Sequence, residues 1–321
     1  MKFIFFLFCF FWFSATYAQS YNVEWSELEN KQGSLIYLLP SKTNEFYALR
    51  WTGGQILGSY QVSRHVDFKL VAKGRIKVQA EQSMANFEAA RMIGGNFTVF
   101  LSDRRDGQNH LYMQKYSADL KPVDEPIKLA SYDLDKKRLK GWFEVKMSTN
   151  EKYFSVVWEV PGKNEERDLY GFKVYDTTFN LINEGEYPLP FDPELSTIHS
   201  HHISNNGDYF LALTEYKEDE KRKLFKNHLN YKALHIYHIT DEGLSDFELD
   251  LEGKRVEAMA ISSDENNIFT ITGIYGEMAI EGVSGVFHQR VDLNTGKTLD
   301  KGFKKFSDEF ITQGWSEREK D

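Results

Sequence analysis

HISNNGDYFLALTEY, residues 202–216, reads as the end of one strand, a polar turn, and then a strand that alternates aromatic and aliphatic side chains. The run recurs with variations. LLPSKTNEFYALRWT begins at Leu38, RMIGGNFTVFLSD at Arg91, KMSTNEKYFSVVWEV at Lys146 and AISSDENNIFTITGI at Ala260. Taking Leu39, Met92, Met147, Ile203 and Ile261 as equivalent gives spacings of 53, 55, 56 and 58 residues. Each unit then supplies another strand: LGSYQVS, HLYMQKYS, DLYGFKVYD, ALHIYHIT and GVFHQRVDL. A turn with Asp, Asn or Gly follows, and after it a weaker fourth strand such as PIKLASY or LSDFELDL.

Four strands per unit of this length is the signature of a β-propeller blade. A lone four-stranded sheet leaves both faces wet, whereas radial stacking against neighbours buries them. The 15 % aromatic content suits such flat sheet-on-sheet packing. The expected fold is therefore all-β, a propeller of four-stranded blades. Five blades are visible, starting near residues 35, 87, 143, 199 and 257, and the propeller spans 19–306 with a charged tail at 307–321. Either five blades close the ring, or they are part of an incomplete ring of six or more. The segment YNVEWSEL, 21–28, alternates Val23 with Trp25 and offers a strand to complete the last blade.

The first eighteen residues carry Lys2, a Phe-rich apolar core and small residues at 15 and 18, the pattern of a secretory signal peptide cut before Gln19. This implies export, to the periplasm, the cell envelope or the medium. Cys9 is the only cysteine, so the exported chain has no disulfides and depends on its core. Beyond residue 18 there are 38 basic and 48 acidic residues, a net charge of −10, which argues against sequence-independent nucleic-acid binding. No later apolar run reaches the length of a membrane span.

The stretch VFLSDRRDGQNHLYMQKYSADLKP, 99–122, resembles the repeat of the TolB-type, WD-like propellers at Ser102, Asp103, Arg104, Gly107, Leu111, Tyr112 and Met113, with one extra residue between the Arg and the Gly. ISNNGDYFLAL is similar to that family's Ser-Pro-Asp-Gly turn, with Asn205 in place of the Pro. The resemblance implies a fold, and the motif is structural, so it carries no activity.

The candidates for chemistry are few. In STIHSHHIS, 196–204, His199 and His201 are two apart and share a strand face, while His202 points the other way. The position of His199 aligns with Glu88 and Glu257, so these side chains are expected around the channel mouth, where two carboxylates and two histidines suit a divalent metal. The competing reading is packing, because His201 aligns with Tyr37, Ala90, Val145 and Met259. No cofactor is otherwise implied. Glu88 and Glu257 also raise a propeller glycoside hydrolase, which needs two carboxyls flanking the scissile bond. Nothing beyond their equivalence supports it, and there is no G-x-S-x-G, Walker or H-E-x-x-H motif.

Binding fits the pattern better. The loops differ greatly between units, and KEDEKRKLFKNHLNYK, 217–232, is long and carries Phe225 and Tyr231. The segment SYDLDKKRLKGW, 131–142, brings a basic cluster and Trp142 to the same face. With Trp51 and Arg104 these are the aromatic and Arg side chains that interfaces favour. The expected role is recognition of a protein or carbohydrate partner through loops on one face.

Overall fold

A computed structural model describes residues 33–53, 58–80, 83–134, 141–160, 168–218, 230–240, 243–278 and 280–313. The leader at 1–18, the segment 21–28 and most of the loop 217–232, with Phe225, lie outside the described residues.

The repeat folds as read. Among the described residues twenty strands form five four-stranded antiparallel sheets. Blade 1 comprises Ser34–Lys42, Glu45–Gly53, Gly58–Val66 and Lys69–Arg75; blade 2, Asn86–Ile93, Asn96–Arg105, Gln108–Tyr116 and Pro122–Asp133. Blade 3 comprises Trp142–Met147, Tyr153–Val160, Leu169–Asp176 and Leu181–Pro188; blade 4, Ser196–Ile203, Tyr209–Tyr216, Tyr231–Thr240 and Gly243–Leu249. Blade 5 comprises Lys254–Ser263, Ile268–Glu277, Gly285–Asp292 and Lys297–Lys305. Within every blade the strands pair in chain order, and the first strands of consecutive blades lie beside one another from blade 1 to blade 5. Sheets stacked radially about their first strands make a β-propeller. A short hairpin, Gln79–Ala80 with Ser83–Met84, links blades 1 and 2, and a four-residue helix, Asp308–Ile311, follows blade 5.

The polar turns of the repeat are the hairpins between first and second strands. They need left-handed backbone, which Asn44 (φ 61°), Gly207 (φ 91°) and Asn267 (φ 59°) supply at small steric cost. Their side chains also join blade to blade. Asn150 donates its backbone N–H to Asn205 Oδ1 (2.9 Å) and its side-chain amide to the Asn205 carbonyl (3.0 Å). Asn205 in turn donates to the Ser263 carbonyl of blade 5 (3.1 Å).

The alternating second strands build the core. Four apolar clusters lie between blades 1 and 2, 2 and 3, 3 and 4, and 4 and 5. Each contains an aromatic pair across the interface: Tyr47 with Phe97, Phe100 with Phe154, Phe172 with Tyr209, and Phe210 with Phe269. The recurrent aromatic after the turn is thus the anchor that each blade presses into the one before it. Among the described residues none of the four clusters joins blade 5 to blade 1. The outward faces of these two blades instead show Leu35 and Leu38, and Ile274 and Val286, to solvent.

First strands begin at 34, 86, 142, 196 and 254, close to the starts expected from the repeat. Four of them carry a feature the alignment missed. The pairing slips by one residue at Ile36, Glu88, His199 and Glu257, each a β-bulge, whereas the first strand of blade 3 pairs without interruption. A bulge adds one residue and re-aims the side chain at that point.

Candidate functional site

Blade 3 presents a divided face to blade 4. Because its first strand runs unbroken, Phe143, Val145 and Met147 point into the core shared with blade 2. The alternate residues Trp142, Glu144 and Lys146 point the opposite way. On the next strands Val157, Phe172 and Val174 pack against Tyr209, Leu211 and Leu213 of blade 4, closing one half of the interface. The other half opens into a cleft of about 420 Å³ lined by Trp142, Glu144, Lys146, Glu159, Asp168, Tyr170, His199 and His201 among others.

The cleft is built from mutually held side chains. Trp142 Nε1 donates to Glu159 Oε2 (2.7 Å), which fixes the indole while leaving 38 % of the residue exposed. Lys146 Nζ pairs with Glu144 Oε1 (2.6 Å). His201 forms the floor, with Trp142 edge-on to it and Tyr170 stacked beside it. Its Nδ1 meets the Tyr209 hydroxyl at 2.5 Å. Burial drives the Tyr209 phenol far above its ordinary range, so it stays protonated and able to donate to Nδ1. The tautomer that fits this places the His201 proton on Nε2, which faces Glu144 Oε2 across 3.9 Å. That nitrogen has no hydrogen-bond partner among the described residues, although His201 is only 6 % exposed. Burial lowers the imidazole to about 4, outweighing the attraction of Glu144, so it is neutral at neutral pH. Burial, reinforced by Glu159, holds the Tyr170 phenol protonated as well.

The residues expected from the sequence fall out differently. Trp142 stands at the cleft mouth, partly exposed. Tyr231 does not: it is 4 % exposed, packed in the core between blades 4 and 5, because the strand Tyr231–Thr240 begins at that residue. Trp51 lies edge-on to Tyr60 within blade 1, against Gly58. Arg104 is exposed at the hairpin tip of blade 2, where its charge acts on Tyr132.

His199 and His201 do not point together as expected. The bulge at His199 turns its side chain to Thr214 (2.7 Å), on the strand face opposite to Tyr209, which holds His201. His202 reaches blade 5 and meets Ser263 Oγ at 2.9 Å. Glu88 accepts from Ser102, and Glu257 pairs with Arg255 (2.6 Å). Among the described residues no group of three or more His, Cys, Asp or Glu side chains is placed to hold a metal, so the cluster of Glu88, His199, His201 and Glu257 weighed against packing does not form. No helix among the described residues is long and apolar enough to cross a membrane.

Glu144, Lys146, Glu159 and Tyr170 were missed. One signal pointed to the first: W-x-E-x-K on a first strand puts a carboxylate where blade 2 has Ala89 and blade 4 has Ser200.

No family model matches the chain, and no curated protein does. Among solved structures it is similar to the Pyrococcus horikoshii acylaminoacyl peptidase (10 % identity, TM-score 0.45, covering 88 % of this chain and 41 % of that one). It is also similar to Chaetomium thermophilum Sqt1 (14 % identity, TM-score 0.40, covering 86 % and 63 %). A third likeness is to a subtype N10 neuraminidase-like protein of a little yellow-shouldered bat influenza A strain (11 % identity, TM-score 0.36, covering 88 % and 87 %). This chain thus spans less than half the length of the peptidase.

Proposed function

We propose that this chain is an exported β-propeller of the TolB type that works as a binding module, capturing a protein or glycan partner at the cleft between blades 3 and 4. The observation that carries the reading is the half-open interface with Trp142 at its rim. A fixed, partly exposed indole beside paired carboxylates and a neutral histidine is a ready contact surface, and a cleft with a few convergent polar groups is the usual form of a ligand site. Export is supported by the leader-like sequence of residues 1–18.

The test is to probe arrays of immobilised glycans and peptides with the full chain and with Trp142→Ala. Binding by the wild type that falls roughly tenfold or more in the variant is expected. Equal binding by the two proteins overturns the reading. Mass spectrometry of the protein recovered outside the cytoplasm is expected to find Gln19 as its first residue.

A further inference from the structure

We infer that the cleft receives a neutral, hydroxyl-rich saccharide, one hydroxyl of which bridges Glu144 and His201 while a sugar face rests on Trp142. The inference rests on the binding-module reading and narrows its partner to one chemical class.

The separation between His201 Nε2 and Glu144 Oε2 is the starting point. At 3.9 Å it is too long for a hydrogen bond, whose N···O distance runs about 2.7–3.2 Å. One oxygen set between the two atoms would lie within hydrogen-bond distance of both. That oxygen must accept from the Nε2 proton and donate to the carboxylate. A hydroxyl does both with a single atom. The group waiting for it is buried and lacks a partner among the described residues, and a buried donor left unpaired is costly unless something from outside completes it.

The rest of the cleft alternates donors and acceptors. Lys146 Nζ lies 2.6 Å from Glu144 Oε1, so an ammonium donor adjoins a carboxylate acceptor, a pairing that reads two neighbouring hydroxyls. Trp142 adds an apolar surface held in place by Glu159. This is the combination a sugar ring demands, with a C–H face to cover and hydroxyls at its edge.

Charge disfavours the other small-ligand classes. A carboxylate, sulfate or phosphate would face Glu144 and Glu159, buried His201 offers it no positive charge, and the Lys146 ammonium is already neutralised by Glu144 at 2.6 Å. An ammonium or guanidinium group would satisfy the carboxylates, yet it has only donors and leaves the His201 proton facing another donor.

The experiment uses the full chain and titrates it with glucose, galactose, mannose and N-acetylglucosamine and with their β-linked disaccharides. Glucuronic acid and short Lys- and Arg-containing peptides are the comparison ligands. Heat and intrinsic tryptophan fluorescence are the readouts. The expected result is millimolar or tighter binding of at least one neutral sugar, reduced roughly tenfold or more by Glu144→Ala and by Trp142→Ala, and partly restored in Glu144→Gln, which keeps an acceptor. The two altered side chains are partly exposed, so these variants are expected to fold, and their melting curves check it. Failure of every neutral sugar to bind at tens of millimolar overturns the inference. If basic peptides bind instead and Trp142→Ala abolishes that binding, the saccharide class is wrong while the binding module stands. If neutral sugars or peptides bind equally well to wild type and variants, both readings fall.

Discussion

The interface between blades 3 and 4 and the outward face of blade 5 come from the same repeat and are used in opposite ways. Between blades 3 and 4 the strands carry Phe172, Tyr209, Leu211 and Leu213, buried and interlocked, with a ring stack at 4.2 Å. On blade 5 the strand Gly285–Asp292 alternates strictly between covered and uncovered residues. Phe287, Gln289 and Val291 face blade 4, while Val286, His288 and Arg290 are exposed. Beside them Ala258, Ala260, Thr272, Ile274, Gly302 and Phe303 line a broad open hollow of about 680 Å³ that no neighbouring blade fills among the described residues. Bulk accumulates where a neighbouring sheet supplies contacts, because apolar area stabilises only when it leaves water. The cleft is the intermediate case, a covered interface in which half of one face carries charge.

Breaking this contrast at its strongest point should give the largest effect. Phe172→Ala removes one ring of the buried stack and leaves a cavity, with an expected loss of about 3–5 kcal/mol in denaturant unfolding. A loss below about 1 kcal/mol would mean that the interface contributes little to stability.

Acid should come next. Burial lowers both His201 and His202 to about 4, against about 6.5 when unfolded. Above pH 6.5 both states are neutral and the full stability is present. Between 6.5 and 4 the unfolded chain binds protons that the folded chain refuses, so stability falls as the pH falls. Each histidine accounts for roughly 3 kcal/mol at most across that window. His202→Gln, altering the residue that joins Ser263 of blade 5, should flatten the dependence in urea midpoints measured from pH 7 to pH 4. An unchanged slope would show that the fold does not hold His202 neutral across this range.

The smallest effects sharpen the comparison through paired glycines. A Cβ on Gly171 would run into the ring of Trp158, which is buried and cannot withdraw, so Gly171→Ala should cost about 1–3 kcal/mol. A Cβ on Gly302 would meet only the half-exposed ring of His288, whose contact with Asp300 (3.1 Å) is itself exposed and can follow the ring outward, so Gly302→Ala should stay within about 0.5 kcal/mol. Equal melting shifts for the two would remove the distinction between covered and open faces.

The repeat was legible because its parts answer to local physics. Asn44, Gly207 and Asn267 mark turns that need left-handed backbone, and the aromatic residue after each turn marks the strand that enters the core. Trp142 was legible as a loop-adjacent aromatic. His199 was misread because strand alternation assumes unbroken pairing, and the bulge that breaks it is set by the partner strand. Tyr231 was misread because an aromatic at a loop's end can be either the last exposed residue or the first buried one.

Sequence alone determined the period, the four strands of each unit, the turn positions and the alternation that assigns every strand two faces, all of which depend on residues near one another in the chain. Only the tertiary structure decided which face meets which neighbour, that the unbroken strand of blade 3 turns Glu144 and Lys146 toward blade 4, and that His201 waits 3.9 Å from Glu144. The reason is that a sheet's pleat is fixed locally, whereas the side chain opposite it comes from a blade more than fifty residues away and is brought there only when the core closes.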